Sequence, residues 1–270
     1  MKPFLKWAGG KTRLLPELLK YVPKQYGRYV DPFMGGGALF FHLQPENVIV
    51  ADANRFLCDT YRGVQYEHDI TVRLLERFAK EHSEDRYRSA VDEMQKVLTF
   101  GALAAYFIYI NKTSFNGLYR VNKNGQYNVP IGKQKKIDLY CGDNLRDVHL
   151  YLVSAAIIHI HCCDFRETLK RARPGDFIYA DPPYHGGFTA YTAKGFTEQD
   201  HTDLARICAD LAGKGCHILA SNSNTDFIKQ LWGQYGCFDI HEVEAPRSIS
   251  CKGSGRGKVK ELIITNVWNC

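Results

Sequence analysis

Two stretches of the 270-residue chain place acidic residues where buried strands are predicted to end. Asp181-Pro182-Pro183-Tyr184 directly follows the apolar run 177–180, and its prolines stiffen the turn so that the Asp181 carboxylate points in a fixed direction. Ligands of open α/β sheets collect outside the carboxyl ends of the strands. Such rigidity suits a functional site, although Asp and Pro are also ordinary turn residues.

The second stretch is a glycine-rich turn, residues 32–37, that follows Asp31 at the end of a predicted strand. The next strand ends at Asp52, so the unit is half of a dinucleotide-type βαβ motif, with a carboxylate placed for ribose hydroxyls. Phe40 stands where that motif needs its third glycine, which disfavours a pyrophosphate and favours adenosine without phosphate. A flexible surface turn is the alternative for the glycines taken alone.

Composition indicates a globular protein with a moderate basic excess: 45% hydrophobic residues, 24% charged residues and a net charge of +6. Such a charge permits an anionic partner without requiring one. Nine cysteines without a Cys-x-x-Cys pair indicate reduced thiols in the cytoplasm. The N-terminus lacks a signal-peptide core and no apolar run is long enough to span a bilayer, so no membrane association is expected.

Two motifs suggest a phosphate-binding loop and a metal site, but neither assignment is favoured. Gly10-Lys11-Thr12 resembles the end of a phosphate-binding loop, but Leu5 stands where that motif needs a glycine. His159, His161 and Cys163 share one face of a predicted strand, yet buried neutral histidines are commoner there than a metal site. We therefore expect no metal.

Residues 57–141 differ in character from the rest, with amphipathic and buried helical patterns and no alternation of strands and helices. Their last part, 111–137, contains six Lys or Arg and no acid, with aromatic residues between them and a turn at 122–125 that predicts a hairpin. Basic hairpins of this kind are typical of nucleic-acid binding, although lysines also protect edge strands. A second basic segment, 247–260, precedes the last strand.

Together these motifs resemble the Dam-type, alpha-class DNA adenine-N6 methyltransferases over nearly the whole chain. The matching segments occur in the family's order at residues 6–11, 31–40, 181–184, 247–250 and 258–262. The resemblance implies S-adenosylmethionine as cofactor, methylation of adenine N6 in double-stranded DNA with GATC as the expected site, and no obligate protein partner. It implies an enzyme of DNA replication or restriction-modification in the cytoplasm of a bacterium, or of a host that carries a phage.

The implied fold is α/β: a Rossmann-like S-adenosylmethionine-dependent methyltransferase sheet with helices on both faces. An inserted, mainly helical DNA-recognition domain ends in a β-hairpin. Residues 1–56 and 142–270 form the predicted catalytic domain, and residues 57–141 form the predicted target-recognition domain.

Position by position, the resemblance also implies roles for individual residues. The expected catalytic residues are Asp181, Pro182 and Tyr184. The expected cofactor-binding residues are Trp7, Lys11, Asp31, Phe33, Gly35, Asp52, Asp164, Phe165 and again Asp181. The expected DNA-binding residues are Lys6, Phe115, Asn116, Leu118, Arg120, Pro130 and Arg247, with Phe115 as a wedge between bases and Arg120 on a guanine.

The chain departs from the family pattern in two places. Phe115 stands where tyrosine is frequent, and the segment 185–196 is short and glycine-rich, so closure over the target base is expected to differ. Two alternatives remain open: an enzyme of the same build that acts on RNA or on cytosine N4, and a catalytically inactive DNA-binding relative.

Overall fold

Alternating apolar residues form a sheet at the centre of the computed structural model, which describes residues 1–122, 124–133, 137–140, 143–187, 195–246 and 258–267. Its strands are β1 (Tyr29–Asp31), β2 (Asn47–Asp52), β3 (Ile157–Cys162), β4 (Phe177–Ala180), β5 (His217–Ser223), β6 (Asp239–Pro246) and β7 (Lys258–Thr265). The spatial order is β3-β2-β1-β4-β5-β7-β6. The first five strands in this spatial order, from β3 through β2, β1 and β4 to β5, are parallel. Strand β7 runs antiparallel to both β5 and β6.

Helices connect these strands and cover the sheet. They are α1 (Leu15–Leu18), α2 (Ala38–Leu43), α3 (Arg55–Tyr66), α4 (His68–Lys80), α5 (Glu84–Met94), α6 (Phe100–Thr113), α7 (Asn144–Ser154), α8 (Phe165–Leu169), α9 (Glu198–Gly213) and α10 (Asp226–Gly233). The start of α9 is fixed by a capping box, in which Thr197 and Asp200 satisfy each other's backbone N–H groups.

Apolar residues of the inner strands alternate between two hydrophobic cores, one on each face of the sheet. In β4, Phe177 and Tyr179 belong to one core and Ile178 and Ala180 to the other. A two-residue alternation with both faces covered is the pattern of a parallel sheet between helical layers. The predicted α/β, Rossmann-like methyltransferase fold is confirmed.

The helices between β2 and β3 extend one of these cores. Leu57 and Tyr61 of α3 are buried with Phe41, and α6 packs closely on α3 at Gly63, where a Cβ atom would collide with the carbonyl oxygen of Phe100. The buried helical pattern predicted within residues 57–141 is confirmed at α6, which is covered along most of its length. The division into domains at residues 57 and 141 stays a prediction.

The predicted basic hairpin is joined by isolated bridges between Ser114 and Ile131 and between Val121 and Tyr127, rather than by a regular ladder. Its turn closes through a hydrogen bond from Gly125 N to Asn122 O of 2.9 Å. The ladder is interrupted because Asn116 adopts a left-handed backbone conformation (φ 56°) and Pro130 has no N–H to donate.

One side-chain prediction on the sheet is wrong. His159 is exposed and His161 is only partly buried, because they lie on the face of the edge strand β3 that is opposite its buried residues. Among the described residues no group of three or more His, Cys, Asp or Glu is arranged to hold a metal ion. No described helix combines the length and apolar character needed to cross a membrane.

Candidate active site

The predicted acidic residues lie at the carboxyl ends of two neighbouring strands, β1 and β4. From β1 the chain continues to β2 and β3 on one side, whereas β4 continues to β5 on the other side. A crevice forms where the direction of winding changes, and this is the usual ligand site of such sheets. Asp31 ends β1 and Asp181 follows β4, so both carboxylates border this crevice.

Asp181 is held through a single carboxylate oxygen. Its Oδ1 accepts a hydrogen bond of 2.7 Å from Ser221 Oγ and lies 2.8 Å from the ammonium group of Lys11. Within the described part of the chain, no hydrogen bond ends on Asp181 Oδ2 or on the Pro182 carbonyl oxygen. Two acceptors with fixed directions therefore remain for a substrate.

Tyr184 is fixed on both sides of its ring. Its hydroxyl donates a hydrogen bond of 2.7 Å to Glu261 on β7, and Lys11 Nζ lies 4.5 Å from the ring centre. Burial, followed by the charges of Asp181 and Glu261, raises the pKa of Tyr184 well above its usual value. The neutral phenol is therefore a rigid aromatic surface beside the acceptor pair.

Three carboxyl groups, those of Asp31, Asp52 and Asp181, border the crevice, and the ammonium group of Lys11 is paired with one of them. Burial raises the pKa of Asp31 to about 8 against two hydrogen bonds, from Phe33 N and the Tyr29 hydroxyl, and the charges of Asp181 and Asp52 add to the rise. Burial likewise raises the pKa of Asp52 to about 6. Since Lys11 pairs with Asp181, the crevice favours a cationic ligand.

The glycine-rich turn is tied to Asp52, whose Oδ2 accepts a hydrogen bond of 3.1 Å from Gly35 N. Gly35 has a positive φ of 48°, and a Cβ atom there would come 3.0 Å from the Trp7 ring. Glycine is therefore needed both for the turn and for the approach of Trp7.

An aromatic group suited to a flat ring lies beside this turn. The centres of the Phe33 and Phe165 rings are 5.4 Å apart, and Phe196 meets Phe33 edge-on at 5.7 Å. Asp164 caps α8 through the backbone N of Arg166 and keeps 54% of its side chain exposed. These residues have the chemistry to hold an adenosine-like ligand that also carries positive charge.

The crevice and the hairpin are connected through the N-terminal segment. The Trp7 ring stacks on Tyr119 of the hairpin with 5.5 Å between ring centres. The backbone N and O of Lys6 both bond to the buried side chain of Asn111, which also donates to Gly117 O. The Lys6 side chain lies against Gly117, where any larger residue would collide with it.

The predicted DNA-contacting residues of the hairpin form one exposed group. Phe115 is 47% exposed, and Asn116 and Pro130 are exposed beside it. Arg120 donates to the side-chain oxygen of Asn128 at 2.8 Å, so its guanidinium group is held across the hairpin. Of the other predicted contacts, Leu118 is half-buried. Arg247 lies outside the described residues.

Four residues that contribute to the site were not predicted: Ser221, Glu261, Phe196 and Asn111. Ser221 ends the strand next to β4 and Glu261 lies on the strand after that, so the order of the sheet brings them to the motif. A polar residue at the end of a predicted strand was the available signal for Ser221.

The chain after Tyr184 is also anchored to β5. His185 N donates to Asn222 Oδ1 at 3.1 Å, and Ser223 Oγ donates to His185 O at 2.7 Å. The His185 ring lies 3.1 Å from Thr225 Oγ1 and 3.2 Å from Glu198 Oε1. The predicted difference in closure over a base concerns residues 185–196, of which 188–194 lie outside the described residues.

Comparison with known proteins places this site in a family. Residues 7–249 match the family model of D12 class N6 adenine-specific DNA methyltransferases. The chain is 36% identical over 282 residues to the type II methyltransferase M1.LlaDCHI of Lactococcus lactis subsp. cremoris, covering 100% of this chain and 96% of the relative. It is 35% identical to the type II methyltransferase M.MjaIII of Methanocaldococcus jannaschii, covering 98% of this chain and 99% of that one. It is 32% identical to the DNA adenine methylase of Escherichia coli K12, covering 97% of this chain and 94% of that one.

Proposed function

The chain belongs to the D12 class of N6 adenine-specific DNA methyltransferases, and on this basis we propose that it uses S-adenosylmethionine as methyl donor and GATC in double-stranded DNA as target. It is an enzyme of adenine-specific DNA methylation. The observation that supports methyl transfer to an adenine amino group is the acceptor pair of Asp181 Oδ2 and Pro182 O, beside the fixed ring of Tyr184.

The residues around the crevice fit the proposed donor. Asp31 and Asp52 offer negative charge to its ammonium group and hydrogen-bond acceptors to its ribose hydroxyls, and Phe33 and Phe165 offer an aromatic surface for its adenine. Trp7, Lys11, Gly35 and Asp164 complete this proposed set. Bound there, S-adenosylmethionine supplies a methyl group on a positively charged sulfur.

Asp181 and Pro182 act on the amino group of the target adenine. The N6 lone pair is delocalised into the ring, which makes this nitrogen a weak nucleophile. When the carboxylate and the carbonyl accept hydrogen bonds from its two N–H groups, the nitrogen becomes pyramidal and its lone pair turns out of the ring plane. The positive charge that develops on N6 is stabilised by the same two acceptors, so they act mainly in the transition state. Asp181 is placed to take the proton that N6 loses.

The target base has to leave the helix before N6 reaches these acceptors. Unstacking costs a few kcal/mol, and stacking on Tyr184 offsets part of that cost. Exposed Phe115 is placed to enter the gap as a wedge, with Asn116 beside it for the orphaned partner base.

The proposed GATC specificity rests on the hairpin. Arg120 has a fork of donors suited to guanine O6 and N7, and Leu118 and Pro130 offer apolar contacts for a thymine methyl group. Lys6 lies at the other edge of this surface, next to Gly117.

The six cysteines within the described residues are free thiols, which accords with action in the reducing cytoplasm.

The proposal is tested by incubating the protein with methyl-labelled S-adenosylmethionine and duplexes that differ only in the central site, GATC or GTAC. Nucleoside analysis should show N6-methyladenine in the first duplex and little in the second. Label in N4-methylcytosine, or in RNA but not DNA, would support the alternative enzymes instead. Donor binding without product on any duplex would contradict catalysis.

A further inference from the structure

A basic cleft of about 400 Å³ lies on the sheet face beside the edge strand β3. Helix α8 packs over β1 and β2 on this side of the sheet and leaves the outer residues of β3 accessible. The cleft is lined by residues from the sheet and from the segment after α8: Arg28, Ile49, His159, His161, Lys170, Arg171, Ala172 and Arg173.

The charges that line the cleft are all positive, since its described lining contains no Asp or Glu. Two of the cations are already paired: Arg28 contacts Asp176 at 2.6 Å, and Lys170 contacts Glu167 at 2.5 Å. The guanidinium groups of Arg171 and Arg173 are exposed and have no carboxylate partner among the described residues. The cleft therefore has positive charge in excess.

Two imidazoles form the wall of the cleft that belongs to β3. The rings of His159 and His161 are stacked with 5.9 Å between their centres. Burial, and next the charge of Arg171, lowers the pKa of His161, so this ring is neutral near pH 7. A neutral imidazole still offers one N–H donor.

The arginines of the cleft and the acidic residues of the crevice lie at opposite ends of the strands that they share, whereas His161 lies beside Ala51 of β2. Arg28 directly precedes β1, and residues 170–173 precede β4, so both lie toward the amino ends of the parallel strands. Asp31 and Asp181 lie at the carboxyl ends of the same two strands.

We propose that this cleft is a second anion site that binds a phosphate-bearing ligand between the guanidinium groups of Arg171 and Arg173, with His159 and His161 as additional hydrogen-bond donors. Guanidinium groups bind phosphate oxygens through paired, charge-assisted hydrogen bonds. The phosphodiester backbone of a nucleic acid and the phosphates of a free nucleotide share this chemistry. Because the arginines lie at the opposite strand ends from Asp31 and Asp181, occupation of this site does not depend on the proposed target sequence.

The test follows the ring NMR signals of His159 and His161, assigned with H159Q and H161Q, while pyrophosphate is added to the full-length protein at constant ionic strength. Saturable shifts of these signals are expected, whereas sodium chloride should produce none. The variant R171Q/R173Q should bind pyrophosphate about tenfold more weakly or worse, because two charge-assisted contacts are lost. The control variant K96Q/R146Q removes the same charge from exposed positions elsewhere and should bind as the wild type does.

A 12-base-pair dG·dC duplex, which contains no adenine, distinguishes the two sources of phosphate. Shifts of the same ring signals by the duplex would identify a nucleic-acid backbone as ligand, and shifts by pyrophosphate alone would identify a small phosphate compound. Absence of saturable shifts in the wild-type protein with both probes would overturn the proposal, whatever the folding of the variants. Equal pyrophosphate affinity in R171Q/R173Q and K96Q/R146Q would overturn it as well.

Discussion

Lys11 Nζ lies 2.8 Å from Asp181 Oδ1 and 4.5 Å from the centre of the Tyr184 ring, so one ammonium group contacts both ends of the Asp-Pro-Pro-Tyr motif. The two contacts hold the carboxylate and the ring at a fixed separation. Lys11 and Ser221 together occupy Asp181 Oδ1, which leaves Oδ2 to face the crevice. The separate contributions of Asp181 and Tyr184 to the reaction can therefore be tested by substitution.

Replacement of Asp181 should separate catalysis from DNA binding. Asp181→Ala removes an acceptor that acts in the transition state, and we expect methyl transfer to fall by a factor of about 100 to 1000 or more. Affinity for duplex DNA should change by no more than a few fold. Single-turnover rates and duplex titrations measure the two effects, and an equal loss of both would show that Asp181 is structural.

Ser221→Ala should affect the reaction mainly through Asp181. The buried hydroxyl fixes Oδ1 at 2.7 Å, and without it the carboxylate keeps only the contact with Lys11. We expect kcat to fall about tenfold with little change in KM for DNA, since misplacement of one reacting group lowers the rate and not the binding. Ser154→Ala, at an exposed helix end, is the control. A change confined to KM would contradict this role.

Tyr184 and Glu261 should behave as a coupled pair. Tyr184→Phe keeps the stacking face and loses the 2.7 Å hydrogen bond, and Glu261→Gln keeps the shape of its partner without the charge. Each change should lower kcat modestly, and the double variant should lose less than the sum because both changes act on the same hydrogen bond. Tyr184→Ala should cost more, since the stacking surface is lost too. Additive losses in the double variant would show that the hydrogen bond does not contribute to the rate.

The strand ends of the site were predictable because their signals are local. An apolar run followed by Asp and Pro indicates a buried strand that opens into a stiff turn, and this correctly put Asp31 and Asp181 at strand ends. The partners of these residues were not predictable. Lys11 and Ser221 meet Asp181 only because the strands and the N-terminal segment assemble in one particular order, which no local pattern encodes.

The same limit explains the error at β3. His159 and His161 were expected to be buried, because an apolar strand within an α/β sheet usually has both faces covered. The structure makes β3 the edge of the sheet, and α8 covers only its neighbours. Position in the sheet, rather than the residues of the strand, therefore decides that these imidazoles face solvent.

Binding of S-adenosylmethionine should strengthen as the pH rises toward 8. The pKa of Asp31 is about 8 in the free protein, so its carboxyl is mostly protonated at pH 7 and must lose that proton before it can pair with a cation. Affinity should increase by up to about tenfold per pH unit below this value and level off above it. Calorimetry in buffers of different ionisation enthalpy measures the proton released on binding. Asp31→Asn should bind more weakly at pH 8 and release less proton, whereas the exposed control Asp92→Asn should match the wild type.

Arg120 should contribute to sequence specificity, and Asn128 should contribute by orienting the Arg120 guanidinium group. The guanidinium group donates to Asn128 at 2.8 Å through Nε and at 3.2 Å through one terminal nitrogen, so part of its fork is already oriented before DNA arrives. Arg120→Ala should cost about 1 to 3 kcal/mol of discrimination at one base pair while other positions are still distinguished. Asn128→Ala should weaken the same discrimination by a smaller amount, because the fork remains but is no longer held. Methylation rates on duplexes with single substitutions across the site measure both effects, with Lys133→Ala on the same exposed surface as the control. If Arg120→Ala lowered the rates equally on all duplexes, Arg120 would be a phosphate contact, and the hairpin would position DNA without distinguishing its bases at that point.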